Sequence, residues 1–237
     1  MFFGIDLMAL FPPLLLVVLG GGLVALDRTA VFQGLVSRPL VAATVSGFLA
    51  GDWRLGLLVG AVLELYCIYE IPVGTTIPTD DTLLALAAGG IAALTRDLPL
   101  AQGIDSRSLA LLAILVVLPW SEFTRRLDGW ARGWNRELVD EAETALLAGR
   151  CFSAVNFHLK GLFHFYLAAV CGLVLMVTVS LAGNLLLVSL FPVWFEPYAG
   201  RLLLLFPLAG IAGLLTNMNK KRLYTVFAGA SLWLFLV

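Results

Sequence analysis

Three acidic or amide side chains stand inside or next to segments that are otherwise apolar. Glu64 lies within LGLLVGAVLELYCIY, and Asp27 and Gln33 follow the first apolar segment in ALDRTAVFQGLVSRPL. An ionisable group at membrane depth is costly when it has no partner, so such groups usually mark a site or a pathway. We therefore expect Asp27, Gln33 and Glu64 to contact a substrate. For Glu64 the alternative is a structural hydrogen bond to a neighbouring helix.

A second group of polar residues fills the stretch EIPVGTTIPTDDT, residues 70–82, between two apolar segments. Its two prolines, one glycine, four threonines and three acids could not pack as a lipid-facing helix. The composition predicts an irregular or re-entrant loop that turns its polar groups toward a water-filled cavity. We expect Thr76, Asp80 and Asp81 to bind substrate, although Asp81 could instead cap a helix that starts at Thr82.

The chemistry that these side chains favour is the binding of a neutral sugar. Each hydroxyl of a hexose can donate and accept a hydrogen bond, so carboxylates and amides suit it better than cations. Trp53, Tyr66 and Tyr69 could stack on the apolar face of a sugar or anchor the chain at the membrane interface. His158 and His164 are not at metal-ligand spacing. We predict no catalytic residue, no metal and no cofactor.

The composition indicates that lipid is the solvent for most of the chain. Of its 237 residues, 60% are hydrophobic and only 13% are charged, whereas soluble domains carry about 25% charged residues. A water-soluble fold could not cover so much apolar surface with so few charges. The net charge of −1 gives no long-range field that would recruit nucleic acid. We predict an all-α, polytopic membrane protein.

Eight apolar segments follow one another along the chain, and most of them are short. Segments 7–26 and 162–190 reach the roughly 20 residues that a spanning helix needs. The shorter ones are 39–51, 55–69, 82–95, 108–120, 202–215 and 223–237. Short stretches flanked by Gly and Pro are typical of discontinuous helices that line a substrate site. The alternative is a set of ordinary helices extended by Ser, Thr and short loops.

One stretch, residues 121–150, is polar and differs in kind. It holds five arginines and six acids, and Leu127, Trp130 and Trp134 share one helical face. The pattern predicts an amphipathic connector helix, either at the membrane surface or packed on the protein's own cytoplasmic side. It divides the chain into an N-terminal membrane part, 1–120, and a C-terminal membrane part, 151–237. The positive charges of the connector and of residues 220–222 indicate the cytoplasmic side.

An ordered series of motifs in residues 37–85 resembles the C component of the mannose/fructose/sorbose family of the phosphotransferase system. The series runs from RPL through GD and a G-x-x-x-E to a PVG…P-x-D-x-x-L loop. LDRTAVFQ, before it, is similar to the end of helix one in that family. WNRELVDEAETALLAGR and NFHLKGLFHFYL, after it, resemble the family's connector and next helix.

The resemblance implies a sugar permease subunit of the inner membrane that does no covalent chemistry itself. It implies a homologous D-type membrane subunit, cytoplasmic A and B phosphocarrier subunits, and a homo-oligomer within the complex. Glu64 and Asp80 fall where the family has its acids, and Asp27 matches the acid that closes helix one. The loop from Asp27 to Arg38 is longer than in the enteric mannose permeases, which leaves the sugar open.

Two other functions remain compatible with the sequence. The chain could be a membrane component that has lost transport and serves regulation or assembly in an incomplete phosphotransferase system. It could also be a secondary sugar transporter coupled to a cation. Dependence of uptake on phosphoenolpyruvate rather than on an ion gradient separates the first interpretation from the last.

Overall fold

A computed structural model describes residues 7–69, 78–149 and 153–217, together with residues 224, 227, 228, 231 and 232. In those ranges the regular elements are helices, which confirms the predicted all-α fold. They are α1 (Leu7–Leu26), α2 (Pro39–Ala50), α3 (Trp53–Cys67), α4 (Asp81–Arg96), α5 (Ser106–Val117), α6 (Ser121–Leu147), α7 (Ala154–Leu190), α8 (Glu196–Leu203) and α9 (Leu205–Asn217). The predicted last segment, 223–237, and the basic residues 220–222 lie largely outside the described residues.

Four helical stretches in the described part are long and apolar enough to cross a bilayer. They are Met8–Leu26, Ser106–Leu147, Ala154–Leu190 and Glu196–Thr216. The first matches the predicted segment 7–26, and its helix continues through Pro12 and Pro13. The predicted polytopic membrane architecture is confirmed, and α2, α3 and α4 are the short apolar helices that the sequence indicates.

The short helices α2, α3 and α4 pack against each other at backbone distance. A Cβ atom on Gly89 of α4 would stand 2.6 Å from the carbonyl oxygen of Ala43 in α2. A Cβ on Gly47 of α2 would stand 2.7 Å from the Cα of Gly56 in α3. Small residues at such contacts let helix backbones approach closely. Residues 82–95 of α4 are all buried. Because protein surrounds this helix, it does not have to be long enough to span the bilayer.

The end of this three-helix unit away from the connector is fixed by one carboxylate. Asp52 accepts hydrogen bonds from the backbone N–H groups of Arg54 (3.0 Å) and Leu55 (3.1 Å) and so caps α3. It also pairs with Arg96 at the end of α4. Gly51, just before it, has a φ of +108°, a conformation that glycine adopts at little cost.

Helix α7 is longer than the predicted segment 162–190 and forms the second half of the core. Its 37 residues correspond to about 55 Å at about 1.5 Å per residue, against a hydrocarbon core of about 30 Å. The first two turns therefore extend beyond the apolar segment, where the sequence supplies polar residues. Further along, buried Asn184 donates to the hydroxyl of Thr95 at 2.8 Å and ties α7 to α4.

Helix α6 is the predicted connector, and it continues from α5 through one 3-10 turn at Leu118–Trp120. Its buried residues are Thr124, Leu127 and Ala131, whereas Trp130 is 56% exposed. The packing face is thus rotated away from the tryptophans that the sequence pattern suggested. Of the two predicted positions for the connector, at the membrane surface or packed on the protein itself, the second describes the first half of α6.

Candidate functional site

Arg28, directly after α1, is the centre of a polar network at the start of α4. Its guanidinium donates to the carbonyl oxygen of Thr79 at 2.8 Å and to the hydroxyl of Thr82 at 3.4 Å. It forms ion pairs with Asp81 and, at 3.4 Å, with Asp80. One side chain therefore joins the end of the first membrane helix to the residues that precede and begin α4.

Asp80 is fixed from three sides. Its carboxylate accepts the backbone N–H of Leu83 at 3.1 Å and caps α4, and its own N–H donates to the hydroxyl of Thr124 in α6 at 3.2 Å. It lies outside the four candidate spans, and burial raises its pKa while the charge of Arg28 acts against that shift. A cavity of about 30 Å³ next to Asp80 and Arg28 has room for about one water molecule.

Asp27 organises the loop that leads from α1 to α2. Its two carboxylate oxygens accept the backbone N–H of Gly34 at 2.7 Å, and the backbone N–H and hydroxyl of Ser37 at 3.0 and 3.2 Å. The N–H of Gly34 is the main cause that lowers the pKa of Asp27. Asp27 is buried, and both of its carboxylate oxygens accept hydrogen bonds from the loop itself.

The loop that Asp27 holds contains strained backbone. Phe32, Gln33 and Leu35 have φ values of 53°, 54° and 67°, in the left-handed region that non-glycine residues rarely adopt. Such residues persist where the surrounding structure determines them. Gln33 is exposed, and its amide contacts the carbonyl oxygen of Thr29 at 3.4 Å, so this predicted substrate ligand lies on the outer side of the loop.

A cavity of about 410 Å³ lies where the end of α1, the start of α2, the start of α4 and α6 meet, and we call it the polar cavity. Its lining residues in the described part of the chain are Arg28, Thr29, Ser37, Arg38, Pro78, Thr79, Asp81, Thr82 and Arg132. Eight of these nine side chains carry hydrogen-bonding groups. The lining offers hydroxyls that donate and accept, guanidiniums that donate and a carboxylate that accepts.

Glu64 is not in the lining of the polar cavity, but it contacts a residue that is. It accepts the Nε of Arg38 at 2.8 Å and pairs with a second nitrogen of the same guanidinium. It also accepts the backbone N–H of Leu40, at 3.2 Å, in the first turn of α2. This geometry matches the alternative given above, a structural hydrogen bond from α3 to a neighbouring helix.

Helix α6 supplies residues that the sequence interpretation did not include. Arg125 donates to the hydroxyl of Thr79 at 3.3 Å. Arg132 lines the polar cavity and donates through Nε to Asp128, one turn earlier, at 2.9 Å. The connector therefore forms one wall of the site.

The structure brings together some of the predicted site residues. Asp81 lines the polar cavity, Asp80 lies beside it through Arg28, and Asp27 positions Ser37 in its wall. Gln33 and Glu64 are outside the lining, and Thr76 lies outside the described residues.

The residues that sequence reasoning missed are mainly arginines and hydroxyls. Arg28, Ser37, Arg38 and Arg132 line the polar cavity. One signal was available in the sequence: arginine stands directly after the first membrane helix and next to Asp27. A cation at the end of an apolar helix requires an acidic partner, and the partners of Arg28 are Asp80 and Asp81.

Comparison with known proteins adds three similarities. The family described as "PTS system sorbose-specific iic component" matches residues 12–232. A fructose permease IIC component of Bacillus subtilis (strain 168) is 32% identical over 109 residues, which cover 44% of this chain and 40% of that permease. The matched region thus spans less than half the length of that relative. A solved structure described as "Structure of membrane protein" has a TM-score of 0.62 at 20% identity, covering 94% of this chain and 85% of the other, which indicates a shared fold.

Proposed function

Because the chain belongs to the sorbose-specific IIC family of the phosphotransferase system, we propose that it is the subunit that carries a neutral sugar across the plasma membrane. It is a multi-pass membrane protein of that family. The observation that carries the proposal is the polar cavity, a space of about 410 Å³ with mixed donors and acceptors. Small-molecule sites usually occupy about 300–1,000 Å³.

The lining chemistry suits the hydroxyls of a sugar. Asp81 can accept from a sugar hydroxyl, and the guanidiniums of Arg38 and Arg132 can donate to one. Arg28 holds Asp81 and Thr82 in place, so these groups have fixed positions before a ligand arrives. Preorganised groups bind a hydroxyl-rich ligand in one geometry at a lower cost in entropy.

The distribution of basic residues supports a cytoplasmic position for the polar cavity. In the described part, the end of the molecule that contains it carries seven: Arg28, Arg38, Arg125, Arg126, Arg132, Arg136 and Lys160. The opposite end carries four: Arg54, Arg96, Arg107 and Arg201. Lys and Arg are in excess in cytoplasmic loops. Helix α1 then runs from the outer side to the cytoplasm and delivers Arg28 to the inner mouth.

The division of labour follows from that position. This chain binds and releases the sugar, partner A and B subunits phosphorylate it, and a D-type subunit completes the membrane path. A phosphate adds about −1.5 to −2 charges, and a charged product does not recross an apolar path. The name of the Bacillus subtilis relative makes fructose the first sugar to test.

The decisive experiment measures the fructose affinity of the Asp81→Asn variant in solubilised membranes. Loss of a hydrogen bond to a charged group costs about 1.5–3 kcal/mol, so we expect fructose affinity to fall by at least about tenfold. Asp97→Asn is the matched control, since Asp97 is exposed at the far end of α4. Equal affinity in Asp81→Asn and the native protein would exclude the polar cavity as the sugar site.

A second readout does not depend on that ion pair. A cysteine in place of Thr29, whose side chain lines the polar cavity, should react with a hydrophilic thiol reagent, and fructose should slow the reaction. The native chain, with its own Cys67, Cys151 and Cys171, gives the background rate. No protection by sugar in an active protein would count against the site.

Energy coupling separates this function from its alternatives. Uptake by vesicles should require phosphoenolpyruvate and the soluble subunits, and should persist when a protonophore removes the ion gradient. Uptake that follows the gradient would identify a cation-coupled secondary transporter. Absence of uptake, with partner binding intact, would identify a regulatory or assembly role.

A further inference from the structure

The lining of the polar cavity contains more guanidiniums than a neutral sugar requires. Three guanidiniums, those of Arg28, Arg38 and Arg132, line it together with one carboxylate, that of Asp81. We propose that the polar cavity also holds the phosphate group of the sugar after phosphorylation, as a phosphate-ester site at the cytoplasmic mouth. This inference rests on the proposed function and names the second ligand of the same site.

Two of the arginines have donors to spare. Arg38 directs its Nε and one terminal nitrogen at Glu64, and Arg132 directs its Nε at Asp128. Within the described residues, the other nitrogens of both guanidiniums have no protein partner. The two side chains are 50% and 48% exposed, so their free N–H groups are accessible. A guanidinium presents a planar set of donors that matches phosphate oxygens.

The acids that pair with these arginines lie outside the lining of the polar cavity. Glu64 and Asp128 are absent from its lining. Each pairs with its arginine outside the cavity. Asp81, the carboxylate that does line it, pairs with Arg28. Each of these pairs is close to neutral in net charge, so what Arg38 and Arg132 offer to the cavity is their free N–H donors, on its α2 and α6 sides.

A hydroxyl completes an anion site. Thr29 lies on the α1 side of the same cavity, and its hydroxyl can rotate to donate to a phosphate oxygen. Thr82, by contrast, already donates to the carbonyl oxygen of Ser37 at 2.8 Å. The positive-inside rule accounts for cations at this end of the molecule, but it does not require three of them to line one space. Arg136, one turn beyond Arg132 and exposed like it, shows the difference, because it is outside the lining.

The test compares inorganic phosphate, fructose 6-phosphate and fructose as probes of full-length protein solubilised in mild detergent with its membrane partners. Equilibrium dialysis with labelled phosphate gives the affinity of the anion. We expect Arg132→Gln to lower the affinity for phosphate and for fructose 6-phosphate at least about tenfold, and that for fructose less than threefold. Arg136→Gln should change none of the three. Arg132→Lys keeps the charge without the planar fork and should retain an intermediate phosphate affinity.

Each outcome decides one question. Phosphate affinity that is the same in Arg132→Gln and Arg136→Gln overturns the inference, as does an equal loss for fructose and for phosphate. Displacement of phosphate by phosphatidylglycerol but not by fructose 6-phosphate would assign the arginines to a lipid headgroup and also overturn it. Phosphate binding that depends on Arg132 without any fructose binding would uphold the anion site and refute the proposed sugar site. A melting temperature measured for each variant confirms that it is folded.

Discussion

Arg28 determines the geometry of the site because it contacts the residues on both sides of the α4 N-terminus. Its side chain is 19% exposed and that of Asp80 is 11% exposed, so neither charge is well hydrated. An arginine can serve several acceptors at once through its five N–H groups, and a lysine cannot do so in the same fixed geometry. Arg28 is therefore a positioning residue for Asp81 and Thr82 as well as part of the wall.

Removal of the Arg28 guanidinium tests its structural role. Arg28→Gln leaves Asp80 and Asp81 without a cation, and removing one partner of a buried pair costs about 3–5 kcal/mol. We expect a lower melting temperature of the solubilised protein, partly restored in Arg28→Gln/Asp80→Asn. Arg126→Gln is the control, since its side chain is 67% exposed and such pairs contribute about 0–1 kcal/mol. Equal melting temperatures for the two single variants would refute the structural role.

The second residue-scale prediction separates two roles for Glu64. If it only pairs with Arg38, then Glu64→Gln, Arg38→Gln and the double variant should lower the melting temperature by similar, small amounts, because a half-exposed pair contributes about 0.2–1 kcal/mol. Fructose affinity would then change little in Glu64→Gln. A loss of fructose binding without a change in melting temperature would instead show that Glu64 contacts the sugar.

The sequence identified some of these residues and not others for a physical reason. Asp80 and Asp81 were recognisable because they belong to a polar stretch, rich in Pro, Gly and Thr, that could not pack as a lipid-facing helix. Glu64 was selected because an acid in an apolar segment is costly without a partner. Its partner, Arg38, is 26 residues away, and a contact between residues so far apart in sequence is set by the tertiary structure. Gln33 was selected by proximity in sequence to Asp27, whereas the backbone of the loop turns it outward.

At the scale of elements, the packing of α2, α3 and α4 sets the position of the α4 N-terminus. Ala43 of α2 stands between Gly56 of α3 and Gly89 of α4, since a Cβ on either glycine would meet its carbonyl oxygen. Ser46 of α2 also donates to the carbonyl oxygen of Leu86. Hydrogen bonds and close backbone packing, rather than the hydrophobic effect, hold helices together in lipid.

A glycine substitution tests this contact. In Gly56→Ala the new methyl group would overlap the carbonyl oxygen of Ala43, and overpacking usually costs about 1–3 kcal/mol. We expect a lower melting temperature and weaker fructose binding. Gly133→Ala on α6 is the matched control, because a Cβ there meets nothing within 4 Å and alanine favours a helix. The contact would be refuted if both variants behaved alike.

The loop between α1 and α2 allows a prediction about order rather than stability. Asp27→Asn keeps the shape but loses the charge that accepts from Gly34 and Ser37. We expect faster hydrogen–deuterium exchange in a peptide that covers residues 28–38, since the strained φ values of the loop depend on those bonds. Asp97→Asn, at the opposite end of α4, should leave that peptide unchanged. Unchanged exchange in Asp27→Asn would show that the loop is held by other contacts.

Element boundaries were more predictable than element partners. The apolar segments 39–51, 55–69 and 82–95 differ from α2, α3 and α4 by at most two residues at each end, because Pro, Gly and Asp mark these helix ends. Helix α7 starts eight residues before the apolar segment 162–190, since Asn156, His158 and Lys160 interrupt the apolar run there. Which face of α6 is buried depends on the helices that pack against it, and the hydrophobic periodicity of α6 alone does not identify those helices.

At the scale of the whole molecule, the described chain leaves the polar cavity partly open and much of its lateral surface apolar. Arg38 and Arg132 are about half exposed, and a groove of about 630 Å³ between α5, α7 and α9 is lined almost entirely by apolar side chains. Lipid tails can cover an apolar surface, but they cannot replace the water around two arginines. We therefore expect a protein partner to close the polar cavity.

The last prediction therefore concerns a partner subunit. If a D-type subunit covers this chain, the two should copurify in mild detergent, and fructose affinity should be at least about tenfold higher in the complex than in the isolated chain, because excluding water strengthens hydrogen bonds to charged groups. Thiol reaction at Thr29→Cys should also slow when the partner is present. The isolated chain, folded by its melting temperature, supplies the comparison. Full-affinity binding by the isolated chain would remove the dependence on a partner, and would favour a self-contained secondary transporter over a subunit whose site is completed by assembly.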